Sequence, residues 1–157
     1  PLGLTSIITL AVTVLSMLVL TFLVQKTKLG KAMRAVSEDK AAAQLMGINV
    51  NRTISMTFAI GSALAAIAGV LLCSYSPVLQ PTTGAMPGIK AFDAAVFGGI
   101  GSIPGAFVGG ILIGIIEAMA QAYISTSLAN SIVFGVLIIV LLVKPAGLLG
   151  KYVPEKV

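Results

Sequence analysis

The chain has 157 residues, of which 57% are hydrophobic and 10% charged, with a formal net charge of +5 at pH 7. Soluble domains carry roughly a quarter of their residues as Asp, Glu, Lys or Arg, so this composition excludes most soluble folds. Histidine is absent and Cys73 is the single cysteine, which excludes a disulfide, a Cys/His metal site and an imidazole acid or base. The sequence therefore predicts a membrane protein that holds no metal and is not a self-contained hydrolase.

The first predicted element is a membrane span over residues 4–24. Residues 1–25 contain no ionisable side chain, and such a run exceeds the roughly 18 to 20 residues that cross a hydrocarbon core. The chain begins at Pro1, no basic segment precedes the run and no small-residue cleavage site follows it. We therefore expect no signal peptide and interpret the sequence as part of a longer protein.

A polar loop follows over residues 26–52. It contains six of the ten basic residues, namely Lys26, Lys28, Lys31, Arg34, Lys40 and Arg52. The positive-inside bias predicts that this loop is cytoplasmic, and the basic tail (Lys144, Lys151 and Lys156 against Glu155) lies on the same side. Because these cations adjoin apolar spans without interleaved aromatic residues, we interpret them as topology signals and expect no nucleic-acid partner.

Three further spans are predicted over residues 53–72, 105–122 and 129–143. A cytoplasmic loop and a cytoplasmic tail require an even number of crossings between them, so residues 84–100 must supply a fourth. That segment is short and glycine-rich and contains Lys90 and Asp93. We expect a short or broken helix returning inward from an external loop, with a surface loop as the alternative. Irregular backbone at membrane depth survives only inside protein or beside a watery cavity, which makes this segment a candidate transport path.

The predicted fold is therefore an all-α membrane protein, a bundle of about five membrane segments. Small residues every four positions predict close helix packing at three sites: Gly61, Ala65 and Gly69; Gly101, Gly105 and Gly109; and Gly110 and Gly114. Glu117 follows on the last of these faces, so we expect it to be paired or near water, in either a structural or a transport role. Asp93 lies one helical turn from Lys90, which favours an ion pair over substrate contact.

Within the loop, residues 37–47 (SEDKAAAQLMG) predict a helix of about nine residues, near 14 Å long and too short to span. Ser37 is the expected N-cap and Gly47 the expected left-handed end. Three alanines make its centre slim, and Leu45 and Met46 make its end apolar. This helix suits insertion into a cleft on another protein, although an interfacial helix resting on lipid headgroups fits the composition equally well.

The stretch LGKAMRAVSEDKAAAQLMGINV resembles the cytoplasmic loop of permease subunits from ATP-binding-cassette importers for branched-chain amino acids. Ala42, Ala43 and Gly47 match the A-A-x-x-x-G part of the importer coupling motif, whereas Ala41 stands where the wider motif has Glu. Two further blocks resemble the same permeases: GIKAFDAAVFGGIGSIPGAFVGGILIGIIEA and the ending KPAGLLG. The resemblance is to the first of the two homologous permeases of such a transporter, of which this chain would be about the C-terminal half.

The resemblance implies a permease in a bacterial or archaeal plasma membrane. Its partners would be a second homologous permease, two cytoplasmic ATPase subunits and an extracytoplasmic solute-binding protein. No phosphate-cradling G-x-x-x-x-G-K-[ST] loop occurs, so ATP and Mg²⁺ would be held by the ATPases, and this chain would bind no cofactor and break no bond. Residues 26–52 would be the coupling loop within a single permease domain spanning residues 1–157. The expected coupling residues are Glu38, Asp39, Ala41, Ala42, Ala43, Leu45, Met46 and Gly47.

The expected wall of the translocation path lies around residues 86–104, where glycines would leave backbone N–H and C=O groups exposed to a zwitterionic substrate. The candidate path residues are Lys90, Asp93, Gly98, Gly99, Gly101, Pro104 and Glu117. Two other classes stay open: a secondary carrier in which Asp93 or Glu117 titrates or binds a cation, and a membrane scaffold without a path. The sequence leaves the substrate open among leucine, other aliphatic amino acids and small amides such as urea.

Overall fold

A computed structural model describes residues 3–150, so the tail residues Lys151, Glu155 and Lys156 lie outside the described residues. Residues 3–150 contain no β-strand and form seven α-helices: α1 (Leu4–Lys26), α2 (Lys28–Glu38), α3 (Lys40–Leu45), α4 (Val50–Tyr75), α5 (Ala85–Gly98), α6 (Ile103–Tyr123) and α7 (Thr126–Val143). Four of these, α1, α4, α6 and α7, are long and apolar enough to cross a membrane. The chain is an all-α, multi-span membrane protein, as its composition predicts.

The segment that the crossing parity requires is α5, a helix of 14 residues. At about 1.5 Å per residue it is about 21 Å long, shorter than a hydrocarbon core of about 30 Å. The prediction of a short helix is confirmed, and the alternative of a surface loop is wrong, since α5 buries Asp93, Ala94, Phe97 and Gly98. Whether α5 crosses the membrane stays a prediction.

The chain divides into two compact units between Gln80 and Pro81. In the first unit, α2 packs against α1, α3 and α4. The long helices α1 and α4 bury almost nothing, since α1 has no buried residue and α4 buries only Thr53. Their apolar side chains are therefore open to lipid or to other protein.

A one-residue corner joins α1 to α2. Thr27 is the N-cap of α2: its hydroxyl accepts a hydrogen bond from the Gly30 N–H at 3.1 Å and donates one to the Leu23 carbonyl. A side chain at position 30 would strike the carbonyl of Val24, so only glycine fits there. The polar segment thus begins as a second helix folded directly against the end of α1.

The second unit consists of α5, α6 and α7. Its core is the apolar cluster Ala94, Phe97, Ile113, Val133 and Leu137, to which all three helices contribute. At the start of α6, the Ser102 hydroxyl accepts a hydrogen bond from the Gly105 N–H at 3.1 Å, and Pro104 lies in the first turn, where no intrahelical N–H is needed.

The small-residue faces differ in what they contact. Gly105 and Gly109 lie against α5, as predicted. Gly101 does not belong to that face: it lies in the turn before α6 with φ +90°, because the helix begins only at Ile103. Side chains built at Gly61 and Gly69 would meet no atom within 4 Å, so the packing role predicted for that face of α4 stays a prediction.

Candidate functional site

The first candidate site is the short helix α3, which Asp39 caps. The Asp39 Oδ1 atom accepts hydrogen bonds from the backbone N–H groups of Ala41 and Ala42 at 2.9 and 3.1 Å. The predicted cap, Ser37, is wrong. The chain stays helical through Glu38 in α2, and the Ser37 hydroxyl donates back to the Arg34 carbonyl at 2.7 Å. The predicted single helix of about nine residues is therefore the end of α2 followed by a six-residue α3.

The end of α3 has the predicted left-handed glycine. Gly47 has φ +85° and donates its N–H to the Gln44 carbonyl at 3.0 Å, and the Ile48 N–H returns to the Ala43 carbonyl at 3.0 Å. Bonds of this kind satisfy the last carbonyls of a helix. The prediction for Gly47 is confirmed, and a helix of only two turns is closed at both ends.

The surface of α3 is anchored on one side and apolar at its tip. Ala43 is buried, 4% exposed, whereas Ala41 and Ala42 are exposed. Leu45 and Met46 are 88% and 83% exposed. Two adjacent large apolar side chains that are this exposed to water indicate a contact surface, because their exposure stabilises nothing within the chain itself. Such a tip can enter a cleft on another protein.

Sequence reasoning missed α2 as a helix. Its signal was present, since Leu29, Met33 and Val36 recur at the spacing of one amphipathic face. Val36 is buried and the other two are half-buried, while the cations Lys28, Lys31 and Arg34 are exposed. The many cations among these residues led us to interpret the segment as a loop and to overlook its helical spacing. The polar loop is therefore largely helical, and α2 packs against α3.

The second candidate site is the contact between α5 and α6, which glycines make unusually close. A side chain at Gly98 would overlap the backbone of Gly105, and one at Gly109 would overlap the carbonyl of Ala94. The absence of side chains lets the two backbones touch, as at other small-residue helix crossings. The geometry of this site depends on these three glycines.

Residues 144–150 close the C-terminal end of α5. The N–H groups of Leu148 and Leu149 donate to the carbonyls of Phe97 and Gly98, both at 2.9 Å, and the Gly99 carbonyl accepts from the Ser102 N–H at 3.2 Å. The expectation that Gly98 and Gly99 expose free backbone groups to a substrate is therefore wrong. Both glycines are buried: Gly98 lies against the backbone of Gly105 in α6, and residues 146–150 fold over Gly99.

An ion pair links the two helices nearer the other end of α5. The Lys90 Nζ atom lies 2.5 Å from the Glu117 Oε1 atom, which also accepts a hydrogen bond from the Gln121 amide at 3.2 Å. The side chains of Lys90 and Glu117 are 26% and 21% exposed. The predicted pairing of Lys90 with Asp93 is wrong, because the close α5–α6 contact brings Glu117 within reach. Of the two environments predicted for Glu117, paired or near water, the structure shows the paired one.

Asp93 is instead turned into the protein. It is 3% exposed, and its Oδ2 atom is buried without a hydrogen-bond partner in the described structure. Burial of a carboxyl oxygen without a hydrogen-bond donor lowers the stability of the folded chain. Packing within this unit therefore gives no reason for an aspartate at position 93. Among residues 3–150, no three His, Cys, Asp or Glu side chains converge to form a metal site.

The candidate path residues fall into two groups along α5. Lys90 lies near the start of α5, where it pairs with Glu117 of α6, and Gly98 is about 12 Å further along α5 at about 1.5 Å per residue. Gly101 is exposed in the turn before α6, and Pro104 is exposed in the first turn of α6. The structure does not bring these seven residues into one site, and their place in a path stays a prediction.

Comparison with known proteins gives a consistent result. The family described as "Branched-chain amino acid transport system / permease component" matches residues 2–142. The high-affinity branched-chain amino acid transport system permease protein LivH of Escherichia coli (strain K12) is 52% identical over 146 residues, which is 93% of this chain and 47% of LivH. The corresponding BraD protein of Pseudomonas aeruginosa is 48% identical over 151 residues, 96% of this chain and 49% of BraD.

A more distant relative is archaeal. The probable branched-chain amino acid transport permease protein LivH of Methanocaldococcus jannaschii is 36% identical over 146 residues, 88% of this chain and 46% of that protein. The chain spans about half the length of these curated relatives. No solved structure matches it significantly.

Proposed function

The chain belongs to the family of permease components of branched-chain amino acid transport systems, and on that premise we propose that it is a permease subunit of an ATP-driven importer for these amino acids. Its membrane helices would form part of the translocation path. A second homologous permease would complete the path, two cytoplasmic subunits would bind ATP and Mg²⁺, and an extracytoplasmic protein would deliver the solute. The permease itself would break no bond.

The observation that carries this proposal is the capped helix α3 with its exposed apolar tip. Asp39 and Gly47 close the two ends, and Leu45 and Met46 project outward. Residues 38–47 would be the coupling segment that fits a cleft on an ATPase subunit. When ATP closes the ATPase dimer, that cleft moves, and the difference in docking free energy between the two states drives the permease between its two orientations.

The proposed orientation places residues 26–52 and the chain beyond Lys144 in the cytoplasm. The positive charge in the loop supports it, because basic residues near the ends of spans are retained on the cytoplasmic side. In this orientation α1 and α7 end inside and α5 begins outside. Residues 1–157 would act as a single permease domain with the coupling loop inside it.

The substitution Ala42→Trp tests the coupling role. Ala42 is exposed, so a large side chain there blocks docking without disturbing the permease, whereas the same change at Ala43 would disrupt packing because Ala43 is buried. We expect the variant to lose co-purification with the ATPase subunits and to lower ATP-driven uptake of labelled leucine at least tenfold. The control is Asn51→Trp, an exposed position at the start of α4. Unchanged binding and uptake in Ala42→Trp would refute the assignment.

The buried Asp93 carboxyl group favours one alternative, a carrier subunit driven by an ion gradient. A carboxyl oxygen without a partner is a group that could take a proton or a cation during transport. Asp93→Asn separates the two functions, because asparagine keeps the size of the side chain and removes its charge. Uptake that requires ATP and survives this change eliminates the carrier. Uptake that ignores ATP and is lost with the carboxyl group supports it.

A further inference from the structure

The Lys90–Glu117 pair combines opposite charges with access from outside the protein. Each side chain is about a quarter exposed, and their 2.5 Å contact bridges two different helices. The described residues 81–150 contain only two other charged side chains. Asp93 is buried, and Lys144 donates to the Leu148 carbonyl beyond the end of α7. Lys90 and Glu117 are thus the one accessible cation and anion that face each other in the described part of this unit.

The pair lies near one end of the membrane-spanning part. Glu117 precedes the end of α6 at Tyr123 by about 9 Å, and Lys90 follows the start of α5 at Ala85 by about 8 Å, at about 1.5 Å per residue. In the proposed orientation this is the external end of both helices. A solute delivered from outside therefore reaches the level of this pair before it reaches the level of Gly98 and Gly105, at the other end of α5.

An amino acid carries a carboxylate and an ammonium group, and each is stabilised at membrane depth by a counter-charge or by hydrogen-bond partners. At rest Lys90 and Glu117 neutralise each other, which keeps the cost of two charges at membrane depth low. If the two side chains separate to bind a zwitterion, Lys90 pairs with its carboxylate instead of with Glu117, and Glu117 pairs with its ammonium group instead of with Lys90. The net charge of the site is zero before and after, so no charge is left unpaired in either state.

We propose that Lys90 and Glu117 form the recognition pair for the charged groups of the transported amino acid, with Lys90 taking the carboxylate and Glu117 the ammonium. The inference rests on the proposed function, since it requires a zwitterionic substrate. Gln121 holds the Glu117 carboxylate from the next turn of α6, so Glu117 keeps its position when Lys90 turns to the substrate.

The experiment uses the permease reconstituted in liposomes with its ATPases and binding protein, and measures uptake of labelled leucine together with ATP hydrolysis. The variants are Lys90→Met, Glu117→Gln, both together, and the charge-conserving pair Lys90→Arg with Glu117→Asp. Met119→Leu is the matched control on α6, at an exposed position. Thermal unfolding of each variant establishes that it is folded.

If the pair recognises substrate, each neutral variant lowers uptake by about tenfold to a hundredfold, the range expected for losing a hydrogen bond to a charged group. The double neutral variant is at least as impaired as either single one. Hydrolysis stimulated by the loaded binding protein persists, so less leucine enters for each ATP consumed. The charge-conserving variant retains most of the uptake.

A purely structural ion pair gives the opposite order. Removing one partner leaves a poorly solvated charge, and removing both relieves it, so the double neutral variant would then transport better than either single variant. That order, or uptake equal to wild type in all folded variants, overturns the inference. Failure of the proposed function looks different, because then the unmodified permease shows no ATP-dependent leucine uptake.

Discussion

The backbone N–H of Leu149 donates a hydrogen bond to the carbonyl of Gly98 over 2.9 Å, across 51 positions of sequence. Together with the bond from Leu148 to Phe97, it supplies the donors that the end of α5 lacks. Buried carbonyls at a helix end are costly without such partners, because apolar side chains cannot replace the donors. The 144–150 segment is therefore part of the α5–α7 unit.

Leu149→Pro tests this relationship. Proline has no backbone N–H, so the bond to Gly98 is lost, and we expect a decrease in stability of about 1–3 kcal/mol, the cost of an unsatisfied buried acceptor. Leu149→Ala keeps the N–H and removes a side chain that is 51% exposed, so it should change stability little. Thermal unfolding in detergent compares the two. Equal melting temperatures would show that the bond does not hold the segment.

Gly109 and Gly114 provide a matched test of the α5–α6 contact, since both lie within α6. Gly109→Ala places a methyl group against the Ala94 carbonyl, and we expect a loss of about 1–3 kcal/mol from overpacking. Gly114→Ala meets no atom within 4 Å and should be neutral or stabilising by about 0.5–1 kcal/mol, because alanine favours the helix. Chemical denaturation of the purified permease measures the difference, and the reverse order would contradict the contact.

Asp39 and Ser37 are both favourable N-cap residue types, and single substitutions test the assignment of the cap to Asp39. Asp39→Ala removes both hydrogen bonds to the start of α3 and should cost about 1 kcal/mol of local stability, with weaker binding of the ATPase subunits. Ser37→Ala removes only a bond to Arg34 within α2 and should leave binding unchanged. Co-purification with the ATPases measures both. Loss of binding in Ser37→Ala but not in Asp39→Ala would contradict the assignment of the cap to Asp39.

Gly47→Ala tests the left-handed end of α3. A side chain at φ +85° is strained by about 1 kcal/mol, so the last turn should fray. Gly47→Asn should be milder, because asparagine tolerates this conformation. No atom lies within 4 Å of an added Cβ, so any effect comes from the backbone and not from a clash. Hydrogen exchange at residues 42–48 is the measurement, and equal protection in both variants would contradict it.

Local signals in the sequence predicted most of the fold. The long spans follow from apolar runs, the short α5 from crossing parity, and the Gly47 ending from the preference of glycine for positive φ. The spans and the Gly47 ending depend on residues close together in the chain, whereas the parity argument combines the charges of residues 26–52 with those of the tail. The cap at Asp39 was missed although it is also local, because Ser37 and Asp39 are both good caps and the choice depends on where α2 stops.

The parts that could not be predicted depend on distant residues. Lys90 could reach Asp93 on its own helix, and only the position of α6 shows that it bonds Glu117. The burial of Gly98 likewise depends on the position of α6, and that of Gly99 on where residues 144–150 return. Sequence spacing determines which residues share a helix face, but it does not determine which neighbouring helix that face meets.

The joints at Thr27 and Asp39 have a mechanical consequence. Each is a single residue between two helices, and the side chain of each accepts hydrogen bonds from backbone N–H groups of the following helix. Because no flexible loop separates these helices, a displacement of Leu45 and Met46 would move α2 as a rigid element. We expect α2, which is about 16 Å long at about 1.5 Å per residue, to carry that movement to the end of α1.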